Sequence, residues 1–410
     1  MEYGLIGEKL GHSFSKEVHN LIGDYNFILK EIPKDNLKQF IADREFKGIN
    51  VTIPYKQEVI PLLDFIEPMA LEIGAVNCIV NRNGKLSGYN TDWLGFQCLI
   101  NRLGVRIEGK VVAVLGTGGT SKTIKSVLAK NKVKQIVSVS RNAKDGCIDY
   151  QQLYEMQSQI DIIVNATPVG MYPNIKNAPV DIEQFSNLVG VIDVIYNPLD
   201  TALIQKARAL NIPCQNGLYM LVAQAVYAYG YFFDRDIDKQ TSDQIFNKLL
   251  LQKQNIVLIG MPSCGKTTIG KLIAQKLGRE FIDTDQLIIE NSKMQIAEIF
   301  SKFGEDYFRD LESSAIEQAS LKSGVVIATG GGAVLKEKNV NLLKQNGKVF
   351  FIDRGIENLL STNDRPLSSS REKLEKLFNC RYAIYQKLAD AVVNGNESLQ
   401  EVVNNILGEK

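Results

Sequence analysis

The sequence predicts an α/β protein: a two-lobed unit, made of an α/β lobe and a Rossmann-like lobe, followed by a P-loop domain on a parallel sheet. Three observations predict it. The chain has 410 residues, more than one hydrophobic core usually serves. Short β-branched runs alternate with helical patterns throughout, the mark of parallel sheets covered on both faces. Two glycine-rich turns of unlike design, VVAVLGTGGTSKT at 111–123 and NIVLIGMPSCGKTTIG at 255–270, each follow an apolar run and open a helical one.

In chain order the predicted strands are YGLIG, GINVTIP, VVAVLG, QIVSVSR, DIIVNATP and GVIDVIY, then NIVLIG, EFIDTD, VVIATGGG and KVFFIDR. NRLGVRIEGK (101–110) precedes a fresh strand and glycine turn, and NKLLLQKQ (247–254) leads into the second turn. The expected divisions are an α/β lobe at 1–100, a Rossmann-like lobe at 101–214 and a P-loop domain at 253–410. Helices of 215–252 are expected to return to the first lobe. GLYMLVAQAVYAYGYFF (217–233) falls short of a membrane span and carries Gln224, so a buried helix is expected.

A net charge of +1 argues against a dedicated nucleic-acid or polybasic membrane surface. Six scattered cysteines without a C-x-x-C spacing argue against a disulfide framework or zinc site and suit the reducing cytoplasm. The opening MEYGLIGEKLGHSFS has no charged-then-apolar leader pattern, so export is not expected. Only His12 and His19 exist, so proton transfer elsewhere must use lysine, carboxylate, tyrosine or water. The sequence leaves the oligomeric state open.

Gly116, Gly118 and Gly119 in the first turn permit close backbone approach to a pyrophosphate seated on a helix N-terminus, beside Thr120. The next strand ends in Ser140, Arg141 and Asn142, with Lys144 nearby, where an NAD-type lobe offers an acid to the ribose. A guanidinium suits a 2′-phosphate, and the reading is NADP.

Three polar clusters precede this lobe. GHSFSKEVHN offers Ser13 and Ser15 on one side of an extended segment. GINVTIPYKQ presents Asn50 and Thr52, then Lys56; GAVNCIV and GYNTDWLG supply Asn77, Asn90 and Asp92. Hydroxyls and amides in a half-apolar setting suit a small polyhydroxylated ligand. Lys56 and Asp92 are the candidate acid–base pair, able to supply the proton that a carbonyl oxygen gains as hydride reaches its carbon.

With GHSFS, GINVTIPYK, GAVN, NTDWLG, GTGGTSKT, SRN, NATPVGM, DVIYNP and NGLYMLVAQA in that order, residues 1 to about 250 resemble shikimate dehydrogenase. The resemblance implies that Ser13, Ser15, Thr52, Asn77, Asp92 and Gln224 hold the hydroxy-acid substrate, with Lys56 the proton donor and Asp92 its partner. It places Tyr196 and Gly217 along the cleft between lobes, and Asn165, Thr167 and Met171 of NATPVGM beside the nicotinamide. Thr117, Thr120 and Ser121 stand where the family favours small alanines, and Arg141 with Lys144 replaces a pair of arginines.

The second turn fits G-x-x-x-x-G-K-[ST], with Gly260, Ser263, Gly265, Lys266, Thr267 and Thr268 about the phosphates of ATP. Lys266 contacts the terminal phosphates and the Thr267 hydroxyl takes Mg²⁺. FIDTD puts Asp283 and Asp285 on one strand face, one to assist the metal and one to accept a proton from the attacking hydroxyl. Arg309 in FGEDYFRDLE and Arg381 in RYAIY suit a carboxylate, and Gly330, Gly331 and Gly332 let the backbone close on a small ring. Residues 253–410 resemble shikimate kinase on these motifs. The resemblance makes Asp285, Arg309, Gly331 and Arg381 shikimate-binding, Asp283 the metal's neighbour and Arg365 the lid arginine. The lid LLSTNDRPLS is short, and the tail NGNESLQEVV has no arginine for the adenine.

Together the resemblances imply reduction of 3-dehydroshikimate with NADPH, then phosphorylation of shikimate with MgATP. A quinate/shikimate dehydrogenase fused to an ATP-binding regulatory module is the other reading. Arg141 speaks against its use of NAD, and the set Lys266, Asp283, Asp285, Arg309 and Arg381 against an idle module.

Overall fold

The computed structural model describes residues 1–11, 13–359 and 370–409. Arg365 and His12 lie outside the described residues. The chain forms two compact units, Met1–Leu250 and Leu251–Lys410.

The first unit carries two sheets. One is six-stranded, in the order Phe27–Glu31, Tyr3–Gly7, Gly48–Val51, Cys78–Arg82, Lys85–Tyr89 and Phe65–Ile66. It is mixed, so the parallel pairing to which the strand–helix alternation points holds for only part of it: Gly48–Val51 pairs antiparallel with Cys78–Arg82, which pairs antiparallel with Lys85–Tyr89. The cause is local. Asn83 and Gly84 both take positive φ, 53° and 83°, the backbone a two-residue hairpin demands, and Asn81 Oδ1 accepts the Gly84 amide at 2.9 Å.

The second sheet is five-stranded and wholly parallel, in the order Cys214–Gln215, Gly190–Asp193, Ile162–Asn165, Val111–Leu115 and Gln135–Val139. Its strand Val111–Leu115 is buried throughout and delivers the chain into the first glycine turn and the helix Gly119–Lys130.

The helix Leu218–Phe233 touches both lobes. Tyr219, Met220 and Ala223 join Phe96 and Leu99 of the helix Thr91–Leu103 over Val112, Val114 and Ile162 of the second sheet. Further along, Ala228 and Phe232 pack with Tyr3, Leu5 and Val80 of the first sheet. The two helices meet at Gly95, where a Cβ would lie 2.7 Å from Met220 O. Gly95→Ala is therefore expected to destabilise this unit by about 1–3 kcal/mol through forced separation of the helices. Thermal unfolding of the chain measures this, and an unchanged midpoint would refute it. Among the described residues no helix is long and apolar enough to cross a membrane.

The second unit has one five-stranded parallel sheet, in the order Phe281–Asp283, Val326–Ala328, Asn255–Ile259, Gly347–Asp353 and Ala391–Asn394. The second glycine turn leaves its middle strand and opens the helix Lys266–Leu277.

Candidate functional site

Lys56 follows the strand Gly48–Val51, and Asp92 lies in the first turn of the helix Thr91–Leu103. Lys56 Nζ donates to Asp92 Oδ2 at 2.5 Å, with the side chains 17% and 13% exposed. Asn90 fixes the helix start: its Oδ1 accepts the Trp93 amide at 3.0 Å and its Nδ2 donates to Ala75 O at 2.9 Å. Asn77, buried, accepts the Thr91 amide at 2.6 Å and donates to Thr91 Oγ1 at 3.0 Å. Thr91 Oγ1 reaches Gln224 Oε1 at 3.4 Å, so the sequence candidates Asn77 and Gln224 share one network. Thr91 was not among the candidates; its place between Asn90 and Asp92 in NTD was the signal.

Asn50 is buried and donates to Asn77 O at 3.3 Å. Thr52 ends the same stretch, its amide donating to Ile6 O at 2.9 Å. The expected extended segment around Ser13 and Ser15 is corrected: Ser15 opens the helix Ser15–Ile22, and Ser13 Oγ both accepts the Ser15 amide at 3.2 Å and donates to Ser15 Oγ at 2.9 Å. A serine two residues ahead of a helical amide satisfies that donor better than an extended chain does. Phe14, between them, packs on Tyr196 with ring centroids 5.3 Å apart. Burial pushes the Tyr196 phenol up. Gly217 passes so close to Val194 that a Cβ would lie 2.0 Å from its carbonyl oxygen. His19 stacks on Phe27 at 3.7 Å in the core, where burial holds its pKa down to about 3. It is a neutral core histidine.

In the first glycine turn, Gly116 has φ 102°, and a Cβ there would lie 3.0 Å from Thr167 Cγ2 and 3.1 Å from Ala166 O. Gly118 and Gly119 have open space above them, so the helix N-terminus can receive a pyrophosphate next to Thr120. Past the neighbouring strand, Arg141 and Asn142 are exposed and Ser140 Oγ accepts the Asn142 amide at 3.5 Å. These residues fit NADP. Asn165 is fully buried: it donates to Asp193 Oδ1 at 3.0 Å and accepts the Thr167 hydroxyl at 2.7 Å. Asp193 also accepts Thr201 Oγ1 at 2.7 Å, and burial pushes its carboxyl up to about 6. Asn165 and Thr167 thus shape the turn that ends with the exposed Met171.

The second turn winds through positive φ at Gly260 (147°), Ser263 (64°) and Gly265 (100°). Lys266, buried, donates to Gly260 O at 2.9 Å and Met261 O at 2.8 Å, and Thr268 is exposed just beyond it. Thr267 Oγ1 donates to Asp283 Oδ2 at 2.7 Å, a hydroxyl and a carboxylate fit to share Mg²⁺. The expectation that Asp283 and Asp285 share a strand face is corrected. Asp283 ends its strand and caps the helix Thr284–Ser292, accepting the Asp285 amide at 3.0 Å, so Asp285 is a helical residue. Both still line one cavity of about 500 Å³ with Arg309, Glu312, Gly331 and Arg381.

Arg309 is buried in that wall, its Nη1 on Glu312 Oε2 at 2.8 Å and its Nη2 on Glu305 Oε1 at 2.9 Å. The glycine run makes room: a Cβ on Gly332 would lie 2.0 Å from Arg309 Nη1. Tyr385 donates to Gly331 O, and Arg381 is buried one turn before it. Glu312 escaped the sequence reading. It is 1% exposed with Oε1 lacking a hydrogen-bond partner among the described residues, and burial raises its pKa against the pull of Arg309. The i,i+3 spacing from Arg309 in FRDLE was its signal.

A family model described as the shikimate dehydrogenase substrate binding domain matches residues 5–79, and one described as shikimate kinase matches residues 262–409. The shikimate dehydrogenase (NADP⁺) of Clostridium perfringens is 39% identical over 264 residues, 60% of this chain and 97% of that protein. A solved chorismate mutase/shikimate 5-dehydrogenase fusion protein from Clostridium acetobutylicum aligns with a TM-score of 0.57 at 38% identity, covering 60% of this chain and 96% of that one. Shikimate 5-dehydrogenase from Thermus thermophilus, solved in complex with NADP(H) and shikimate, aligns with a TM-score of 0.55 at 25% identity over 60% of this chain and 99% of its own. The chain therefore belongs to the shikimate dehydrogenase (NADP⁺) family through its first unit and carries a shikimate kinase domain, a user of ATP and Mg²⁺, in its second.

Proposed function

We propose that the first unit works in the reductive direction, converting 3-dehydroshikimate to shikimate, and that the second phosphorylates the 3-hydroxyl so formed. The observation that carries the reading is the Lys56–Asp92 pair at 2.5 Å, a cation held in a part-buried site where a ketone oxygen gains charge. Bound NADPH supplies the hydride. Lys56 gives its proton to the carbonyl oxygen, and Asp92 keeps the ammonium aimed there. Ser13 and Ser15 take the substrate carboxylate, while Asn77, Thr52 and Gln224 meet the ring hydroxyls. Asn50, beneath Asn77, and Gly217, against Val194, act as positioning residues for this pocket, which Tyr196 lines.

Arg141 takes the 2′-phosphate of the dinucleotide. Arg141→Ala is expected to raise KM for NADPH by about 10–100-fold, the weight of hydrogen bonds to a charged group, while leaving KM for NADH nearly unchanged. Equal changes for both cofactors would remove Arg141 from this role.

In the second unit Arg309 and Arg381 hold the shikimate carboxylate against Gly331, and Asp285 accepts the proton of the attacking hydroxyl. Lys266 would contact the terminal phosphates of ATP. Thr267 and Asp283 would hold Mg²⁺, which would offset charge on the transferring group. The lobes divide near residues 100 and 214, the kinase begins near 253, and the setting is the cytoplasm. A two-stage assay on the purified chain tests the whole: 3-dehydroshikimate with NADPH must yield shikimate, and added MgATP must yield shikimate 3-phosphate and ADP. Absence of either product removes the corresponding half.

A further inference from the structure

Arg354 has no part in the account so far, and its surroundings single it out. It is the first residue past the strand Gly347–Asp353, which pairs with the P-loop strand Asn255–Ile259, Phe351 lying opposite Ile259. Its Nη1 comes within 3.9 Å of where a Cβ would stand on Gly265, the positive-φ glycine before Lys266. Its Nε is buried and has no hydrogen-bond partner among the described residues. Other arginines of this unit are engaged: Arg279 on the carbonyl of Gln254, Arg309 on Glu305 and Glu312, Arg371 on Glu375.

Arginine stays charged in proteins. Arg354 and Lys266 thus bring two cations to the glycine that starts the helix Lys266–Leu277, whose amide end is itself a positive pole. Such a grouping is unfavourable alone and becomes favourable when a polyanion joins it.

Strand order says which part of the anion. Asp283 ends the strand Phe281–Asp283, and Asp285 and Gly331 follow the strands Phe281–Asp283 and Val326–Ala328, on one side of the P-loop strand, while Arg354 follows the strand on the other side. The γ-phosphate must face the acceptor cavity, so a group across the loop from it meets the α-phosphate side. We propose that Arg354 is a nucleotide-binding residue of the kinase, gripping ATP at the α-phosphate and ribose end, where the tail NGNESLQEVV offers no arginine. This rests on the kinase reading above.

Arg354→Ala, Arg354→Met and Arg354→Lys in the full chain test it, by calorimetric titration with Mg-ADP and by kinase kinetics. The expected result is a rise of about 10–100-fold in Kd for ADP in the alanine and methionine variants. A matching rise in KM for ATP, KM for shikimate within about twofold of wild type and partial recovery in the lysine variant are also expected. ADP lacks the γ-phosphate, so its weakened binding reports a contact to the remainder of the nucleotide. The methionine variant keeps the side-chain stem, and a thermal midpoint within a few degrees of wild type separates lost binding from lost folding. ADP binding within about twofold of wild type in both neutral variants overturns the inference, including the case where KM for ATP alone rises. A wild-type chain that itself fails to bind Mg-ADP overturns the kinase reading and this inference with it.

Discussion

Lys56→Ala is expected to lower the turnover of 3-dehydroshikimate by about 10³-fold, in the range for removal of a positioned general acid. The loss has two sources. The proton donor is gone, and Asp92, 13% exposed, is left as an uncompensated carboxylate facing the oxygen that becomes negative. The second source can be isolated. Lys56→Ala with Asp92→Asn removes the stranded charge and is expected to recover part of the loss, a coupling that two independent residues do not show. KM for NADPH is expected to stay near its wild-type value, because neither residue belongs to the glycine turn that opens the helix Gly119–Lys130. The kinase rate of the same chain is the control for folding and concentration. Stopped-flow decay of NADPH absorbance measures the step, and a rate within about tenfold of wild type would remove Lys56 from the chemistry.

Lys266→Ala produces the converse. Its ammonium is held by the carbonyls of Gly260 and Met261, so it is placed before the nucleotide arrives and loses little freedom on binding it. A preorganised cation of this kind acts on the charge of the transferring phosphoryl group, and its removal is expected to cost about 10²–10³-fold in kcat for ADP release. Those two carbonyls lose their donor as well, which loosens a loop already wound through positive φ at Ser263. Lys266→Met keeps the stem and separates the two effects. If it slows the kinase as much as alanine does, the missing charge is responsible; if it retains wild-type turnover, the proposed role of Lys266 falls. Reduction of 3-dehydroshikimate is expected to stay unchanged in both variants.

Much of this was legible from residue order because glycine turns and apolar strands are local. Gly116 and Gly265 need positive φ whatever surrounds them, and VVAVLG and NIVLIG are buried because they are apolar along their length. The readings that needed correction came from carrying a strand's two-residue period past its end. Ser15 and Asp285 were assigned faces by alternation, but each already belongs to the first turn of a helix. Asn83–Gly84 is a strong hairpin signal that an expectation of parallel sheets passes over. Thr91 and Glu312 act through partners: Thr91 through Asn77 and Gln224, Glu312 through Arg309. What signal they carry lies in their neighbours, Asn90 and Asp92 for Thr91 and the i,i+3 spacing to Arg309 for Glu312.

The helix Leu218–Phe233 has a further consequence for how the chain is made. The ribosome delivers residues in order, and domains fold as units while synthesis continues. The apolar side of Thr91–Leu103, with Phe96 and Leu99, gains its partner helix only after the whole second sheet has been translated. Until then the early lobe is a nascent intermediate with an uncovered greasy seam. The kinase sheet begins beyond that point, so its own maturation waits on no earlier strand.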